Sequence, residues 1–105
     1  MARYNKLIRD LVPENMTRAG VAHTIRQADP GEVDFYLNRK LREEVEEYLA
    51  EKDPKKKLKE LGDIQEVTRK MAMSLGFTLE ELEAVRAEKY RTHGGFSKMI
   101  ILEES

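Results

Sequence analysis

The chain has 105 residues, 40% of them hydrophobic and 37% charged, and 19 basic side chains almost cancel 20 acidic ones. This length is typical of a single domain, residues 1–105, and the near-neutral charge argues against a general nucleic-acid-binding surface. Without cysteine the chain has no disulfide bridge and no Cys-rich zinc site, so we expect oligomerisation to add stability. Because no uncharged stretch approaches the roughly 20 residues of a membrane span, we expect a soluble cytoplasmic protein without a membrane partner.

In chain order, the first predicted elements are a β-prone stretch and a short helix. Tyr4–Ile8 is rich in residues that favour strands, and Pro13–Ala19 has a proline in its first turn and is followed by Gly20. Near the other end of the chain, Met99–Leu102 is also β-prone. The pattern therefore allows a minor β pairing between the two terminal stretches.

Two long helices are predicted next. Asp29-Pro30 combines an N-cap with a proline in the first helical turn, and the same combination recurs at Asp53-Pro54. These signals predict an antiparallel helix hairpin over about 30–52 and 54–75, which ends at Gly76.

A third long helix completes the predicted fold. Thr78–Glu81 forms a capping box that begins a helix over about 79–93, and Gly94-Gly95 ends it. The predicted fold class is all-α, a helical bundle built on the hairpin.

Acidic side chains interrupt the apolar stripe of both long helices. In the first helix Glu44 falls inside the stripe and Glu47 at its flank, while in the second Glu60 lies in line with the stripe and Asp63 at its edge. Burying a carboxylate among Leu and Val costs free energy unless a cation neutralises it. The apolar positions are Val33, Leu37, Leu41, Val45 and Tyr48 in the first helix and Leu61, Ile64, Val67, Met71 and Leu75 in the second.

The register of the hairpin should bring these four carboxylates together. With Asp53-Pro54 at its tip, residues whose numbers sum to 107 lie at the same height, which pairs Glu44 with Asp63 and Glu47 with Glu60. Four negative charges at one helix contact repel one another strongly unless cations lie between them. Oxygen ligands without His or Cys favour Mg²⁺, with Mn²⁺ as the alternative, over zinc. We therefore predict a metal site at these four residues.

Other features of the two helices have a simpler interpretation. Glu-rich helix faces are commonly solvated, which is sufficient to explain Glu43, Glu46 and Glu51. Gly62 costs about 1 kcal/mol relative to alanine inside a helix, and we interpret it as a place where a helix or a ligand approaches closely.

The acidic residues also resemble the signature of MazG-type all-α nucleoside triphosphate pyrophosphohydrolases, which is ExxE, a longer spacer and then ExxD. Here Glu44–Glu47 and Glu60–Asp63 are separated by twelve residues. The chain resembles the same family at Tyr4–Asp10, at Pro13 and at Gly94-Gly95-Phe96. This family includes phosphoribosyl-ATP pyrophosphohydrolase-like proteins. The chain departs from its relatives at His93, where they tend to carry arginine.

The resemblance implies Mg²⁺-dependent hydrolysis of a nucleotide between its α and β phosphates, which gives a monophosphate and pyrophosphate. The protein would then have a housecleaning role, or alternatively it would hydrolyse phosphoribosyl-ATP. The four carboxylates would hold the metal, and the catalytic candidates are Glu43 and Glu47, with Glu43 either a proton acceptor or a hydrogen-bond acceptor behind the ligands. The candidates for binding the substrate phosphates are Lys6, Arg9, Lys89, His93, Gly94 and Gly95.

Two interpretations of other classes use the same charges differently. A non-enzymatic helical interaction module would bind a basic partner with its acidic hairpin; Mg²⁺ would then leave its melting temperature unchanged, and Glu44→Leu would stabilise it. The enzyme should instead be stabilised by Mg²⁺. Nucleic-acid binding through Lys55–Lys59 and Arg69-Lys70 is disfavoured by the acidic helix beside them. For the enzyme we expect a homo-oligomer, a dimer or tetramer, because one hairpin and one helix bury little apolar surface.

Overall fold

The computed structural model describes residues 4–105, and within this range the secondary structure is entirely helical. The prediction of an all-α fold with a helix hairpin is therefore confirmed. None of the described helices is both long enough and apolar enough to cross a membrane. The elements are α1 (Val12–Arg18), a 3-10 turn (Pro30–Glu32), α2 (Val33–Ala50), α3 (Pro54–Ser74) and α4 (Leu79–His93).

Helix α2 begins later and ends earlier than the predicted range 30–52. At its start, Pro30–Glu32 forms a 3-10 turn, and Glu32 Oε1 accepts a hydrogen bond from the Asp29 backbone N–H at 2.9 Å. At its end, Glu51 has an extended backbone, and its Oε1 accepts hydrogen bonds from the N–H groups of Lys52 and Asp53, both at 3.1 Å. These local side-chain to backbone bonds compete with helical hydrogen bonds and so shorten the helix.

A lysine side chain stabilises the tip of the hairpin. Lys57 Nζ donates a hydrogen bond to the Tyr48 carbonyl oxygen at 2.7 Å and lies 4.0 Å from the centre of the Tyr48 ring. The carbonyl groups in the last turn of a helix lack intrahelical partners and attract positive charge. Lys57 therefore joins the start of α3 to the end of α2.

Replacing Lys57 with alanine should lower the free energy of unfolding by about 1–2 kcal/mol, because it removes one hydrogen bond and one cation–π contact. Urea unfolding followed by circular dichroism would measure the change. Lys56→Ala is the matched control, since Lys56 is exposed and its side chain donates no hydrogen bond in the described structure. Equal effects of the two substitutions would contradict this role for Lys57.

The apolar core lies between α2 and α3 and is small. Its buried apolar residues, among those described, are Leu37, Val67 and Ala72. Helix α4 packs against α3 but does not contact α2. The chain is accordingly elongated, with a radius of gyration of 17.6 Å, whereas a globular chain of this length has about 13 Å.

The predicted β pairing of the terminal stretches is wrong. Neither Tyr4–Ile8 nor Met99–Leu102 is a strand in the structure, and Ile100 and Leu102 are 80% and 79% exposed. An isolated pair of short strands is only marginally stable in water. The first stretch lies instead along the hairpin, where Arg39 Nη1 donates a hydrogen bond to the Asn5 carbonyl oxygen at 3.2 Å.

Candidate metal centre

The contact between α2 and α3 holds the four carboxylates that the sequence singled out. Carboxylate oxygens of Glu44, Glu60 and Asp63 lie within 4.8 Å of one another, and we call these three residues the inner group. Oxygens of Glu43, Glu44 and Glu47 meet the same distance limit and form the outer group. Glu44 belongs to both groups, so it is the centre of the acidic cluster.

Two oxygens of the inner group are buried without a partner. Glu44 is only 5% exposed, and its Oε2 accepts no hydrogen bond within the described residues. Glu60 Oε2 is buried and unpaired in the same way. A desolvated carboxylate oxygen without a donor is costly, and either a proton or a cation would relieve that cost. Because these unpaired oxygens come from facing helices, they suit a hard divalent cation such as Mg²⁺.

The crowding of carboxylates changes their proton affinity. Hydrogen bonding with the Glu44 carboxyl group, desolvation and the neighbouring Glu47 together raise the pKa of Glu60 to about 7. Desolvation first, and then repulsion by Glu44, raises the pKa of Glu47. Glu60 therefore holds its proton to a higher pH than an ordinary glutamate, and a bound cation would displace that proton.

Without divalent cations, the free energy of unfolding should fall as the pH rises from about 4.5 to about 7. The unfolded Glu60 ionises at its ordinary pKa of 4.5, while the folded one holds its proton until about 7. Each rise in pH across that window favours the unfolded state, and below it both states are protonated.

Urea unfolding in EDTA at a series of pH values would measure this slope. Glu60→Gln should flatten it, because glutamine does not titrate. Glu46→Gln, on an exposed position of the same hairpin, should leave it unchanged. The explanation is incorrect if the wild-type and Glu60→Gln proteins lose stability in parallel.

Two of the predicted phosphate-binding cations lie beside the acidic cluster. Arg9 Nη2 is 2.6 Å from Asp63 Oδ1, and Lys6 Nζ is 3.4 Å from Glu43 Oε1. The N-terminal stretch thus crosses from one helix of the hairpin to the other. Both side chains are at least 40% exposed, so they can exchange these carboxylates for another anion.

The other predicted phosphate-binding residues lie at the end of α4, away from the acidic cluster. His93 Nδ1 is 2.7 Å from Thr92 Oγ1, and Gly95 packs against the Tyr90 ring, where an added Cβ would approach to 3.0 Å. Gly94 ends the helix with a φ of +78°. Within the described chain, neither His93 nor Lys89 forms a hydrogen bond or an ion pair with the four carboxylates. Of the predicted phosphate-binding residues, only Lys6 and Arg9 therefore lie beside the cluster.

One cation of the cluster was missed by the sequence reasoning. Lys40 Nζ lies 3.2 Å from Glu44 Oε1 and 3.6 Å from Glu43 Oε2, and its side chain is only 16% exposed. The available signal was its spacing, because residues three and four apart meet on one face of a helix. Lys40 is therefore largely buried next to Glu44.

A cleft opens beside the cluster. It lies between the N-terminal stretch and the facing sides of α2 and α3. Its volume of about 720 Å³ is within the usual range for small-molecule sites. Its walls combine apolar and basic side chains with two carboxylates of the cluster. These include Arg9, Leu37, Lys40, Glu44, Asp63, Val67, Lys70 and Met73.

Comparisons of the chain with models of protein families, with curated proteins and with solved structures find no match. The assignment of a function therefore depends on the residues of the acidic cluster, on the cations around it and on the cleft. Among these, the buried and unpaired oxygens of Glu44 and Glu60 are the most informative.

Proposed function

We propose that this protein is a Mg²⁺-dependent nucleotide pyrophosphohydrolase that cleaves a nucleoside triphosphate between its α and β phosphates. The observation that supports the proposal most strongly is the pair of buried, unpaired oxygens, Glu44 Oε2 and Glu60 Oε2, at a helix contact. Hydrophobic packing alone gives no reason to place them there. The resemblance of Glu44–Glu47 and Glu60–Asp63 to the MazG-type signature supports the choice of nucleotide as substrate.

The metal would be held by Glu44, Glu47, Glu60 and Asp63, and Mn²⁺ could replace Mg²⁺. When bound, the metal supplies positive charge for the phosphate oxygens and activates water for attack on phosphorus. The chain contributes two rigid helices that hold the carboxylates at fixed spacing. Its catalytic carboxylates are Glu43, which would accept the proton of the attacking water, and Glu47, which would act as a ligand of the metal.

The polyphosphate would lie across the mouth of the cleft. Lys6 and Arg9 now pair with Glu43 and Asp63, and on substrate binding they would turn to phosphate oxygens. The apolar part of the cleft has room for a nucleoside. Phosphoribosyl-ATP has the same anhydride bond and remains the alternative substrate.

The proposal includes a homo-oligomer, a dimer or tetramer. On one side of the hairpin Val45, Leu49, Leu58 and Leu61 are 37–71% exposed, although Val45 and Leu61 belong to the predicted buried stripes. A Cβ added to Gly62 beside them would meet no atom within 4 Å, so the close approach inferred for Gly62 is not made within this chain. A row of exposed apolar residues on a small core is typical of an interface.

A second copy could also bring the remaining phosphate-binding candidates to the cleft. We propose this role for Lys89, His93, Gly94 and Gly95, since α4 does not contact α2 within one chain. Light scattering after size exclusion would measure the mass in solution. Val45→Glu with Leu49→Lys should release monomers, and a monomeric wild type would remove the oligomer from the proposal.

Pyrophosphate release from a panel of nucleoside triphosphates and phosphoribosyl-ATP, with Mg²⁺, tests the proposed activity. We expect at least one substrate to be hydrolysed by the wild type, with large losses for Glu47→Gln and Asp63→Asn. Glu46→Gln is the control, because Glu46 is an exposed glutamate of the same helix. A wild type that is inert on every nucleotide and binds no divalent ion would overturn the proposal.

A further inference from the structure

An exposed apolar segment follows α4 near the end of the chain. Met99–Leu102 is a run of four large apolar residues, and each of them is 76–80% exposed. In an extended chain successive side chains point to opposite sides, so this run is apolar on both sides. Runs of this kind are normally buried on both sides. Two acidic residues, Glu103 and Glu104, follow directly, and we call Met99–Glu104 the C-terminal segment.

A surface with a matching order of residues lies at the tip of the hairpin. Its apolar part, which we call the hairpin row, consists of the exposed residues Val45, Leu49, Leu58 and Leu61. Its charged part is a group of exposed lysines, Lys52, Lys55, Lys56 and Lys59. Within residues 4–105 none of these lysines forms an ion pair. Lys55 precedes Leu58 by three residues, so the two side chains lie on the same face of α3.

The C-terminal segment and the hairpin tip are complementary in both polarity and charge. Along the hairpin row toward the tip, apolar residues are followed by lysines, and along the segment, apolar residues are followed by glutamates. Contact between the two would remove apolar surface from water on both sides, which favours association. The opposite charges would fix the direction in which the segment lies on the hairpin.

Within one chain the segment and the tip are too far apart to meet. Helix α3 has 21 residues and is therefore about 32 Å long, and α4 begins beyond the end of α3 that is opposite to the tip. Every residue of α4 after Leu82 is exposed, so α4 does not run back along α3. The stretch from Gly94 to Leu102 spans at most about 30 Å when fully extended, and a turn between Phe96 and Met99 shortens it. The contact therefore requires two copies of the chain.

We propose that the C-terminal segment of one copy docks on the hairpin tip of a second copy. Its apolar residues would lie on the hairpin row, and Glu103 and Glu104 would lie beside the lysines. The inference rests on the oligomer of the proposed function and names the two surfaces that form it. Because each copy has both surfaces, two antiparallel copies make the contact twice and form a closed dimer.

Cysteine cross-linking tests the contact directly, because the chain has no cysteine of its own. Lys55→Cys and Glu104→Cys are prepared as separate full-length proteins, one with a size tag, and are mixed under mild oxidation. We expect a disulfide-linked heterodimer on a non-reducing gel, with a yield at least about ten times that of the control pair, since docking raises the effective concentration of the two thiols. The control pair is Glu104→Cys with Arg18→Cys, an exposed site on α1. Equal yields would overturn the proposal.

An exchange of charges tests the part of the acidic residues. Either Glu103→Lys with Glu104→Lys, or Lys55→Glu with Lys56→Glu, should raise the Kd of the dimer at least about tenfold at low salt, because like charges then face one another. The variant with all four substitutions should recover the wild-type Kd, since opposite charges face one another again. Sedimentation velocity over a dilution series measures these constants. A fourfold variant as weak as the two double variants would overturn the proposed docking.

The outcomes separate this inference from the proposed function. A dimeric wild type without the expected cross-link would overturn the docking of the C-terminal segment and leave the oligomer and the hydrolysis unaffected. A monomeric wild type would overturn both the docking and the oligomer. Pyrophosphate release, which is measured separately, decides the hydrolysis in either case.

Discussion

Replacing Glu44 with glutamine should lower the rate of pyrophosphate release by at least about 100-fold, the upper range for altering residues that merely support metal ligands. Glu44 is the one residue that belongs to both carboxylate groups, and it is the most buried of the four predicted ligands. Glutamine keeps the size of the side chain but removes the negative charge, so the fold should persist while metal binding is lost. Steady-state kinetics at saturating nucleotide and Mg²⁺ would measure the effect.

The control for Glu44→Gln is Glu46→Gln, which alters an exposed glutamate two residues away. Its rate should stay close to that of the wild type. If Glu44→Gln were as active as this control, Glu44 could not be a ligand of a required metal. Circular dichroism of both variants would establish that a lost rate does not reflect unfolding.

The second large effect is thermal stabilisation by Mg²⁺. A ligand that binds only the folded state at one hundred times its Kd adds about 2.7 kcal/mol. For a domain of about this size, that corresponds to a rise in Tm of about 10–20 °C. Differential scanning fluorimetry in EDTA and in MgCl₂, with NaCl to match the ionic strength, would measure it.

The same measurement decides between the enzyme and the non-enzymatic module that binds a basic partner. Glu60→Gln should abolish most of the Mg²⁺ effect, because it removes an inner-group ligand. Glu44→Leu should also destabilise the metal-free protein, since Lys40 would lose its closest anion. If Mg²⁺ left the wild-type Tm unchanged and Glu44→Leu raised it, the module would be the better description.

Helix positions followed from the sequence because their signals are local. Pro54 begins α3, and the capping box of α4 forms as predicted, with Glu81 N–H donating to Thr78 Oγ1 at 3.0 Å. The start of α2 was harder to predict. A proline in a first turn is compatible with both a 3-10 turn and an α-helix, and the contacts of Glu32 decide between them.

Long-range contacts were less predictable. The ion pair of Arg9 with Asp63 joins residues 54 positions apart, and the motif indicated only that Arg9 is a cation available to phosphate. The apolar stripes predicted buried faces, yet Leu75 is 68% exposed. Periodicity marks the side of a helix that is apolar, but it does not determine how much of that side a neighbour covers.

The sequence by itself determined the helices, the hairpin register and the four carboxylates, because capping, proline and periodicity act between residues close in the chain. Only the tertiary structure decided which carboxylate oxygens are buried, which cations accompany them and where the cleft opens. Burial and ion pairing depend on the packing of α2, α3 and the N-terminal stretch, and these set the charge balance at each oxygen. Lys40 illustrates the difference, because its spacing from Glu44 was visible in the sequence while its burial beside an unpaired oxygen was not.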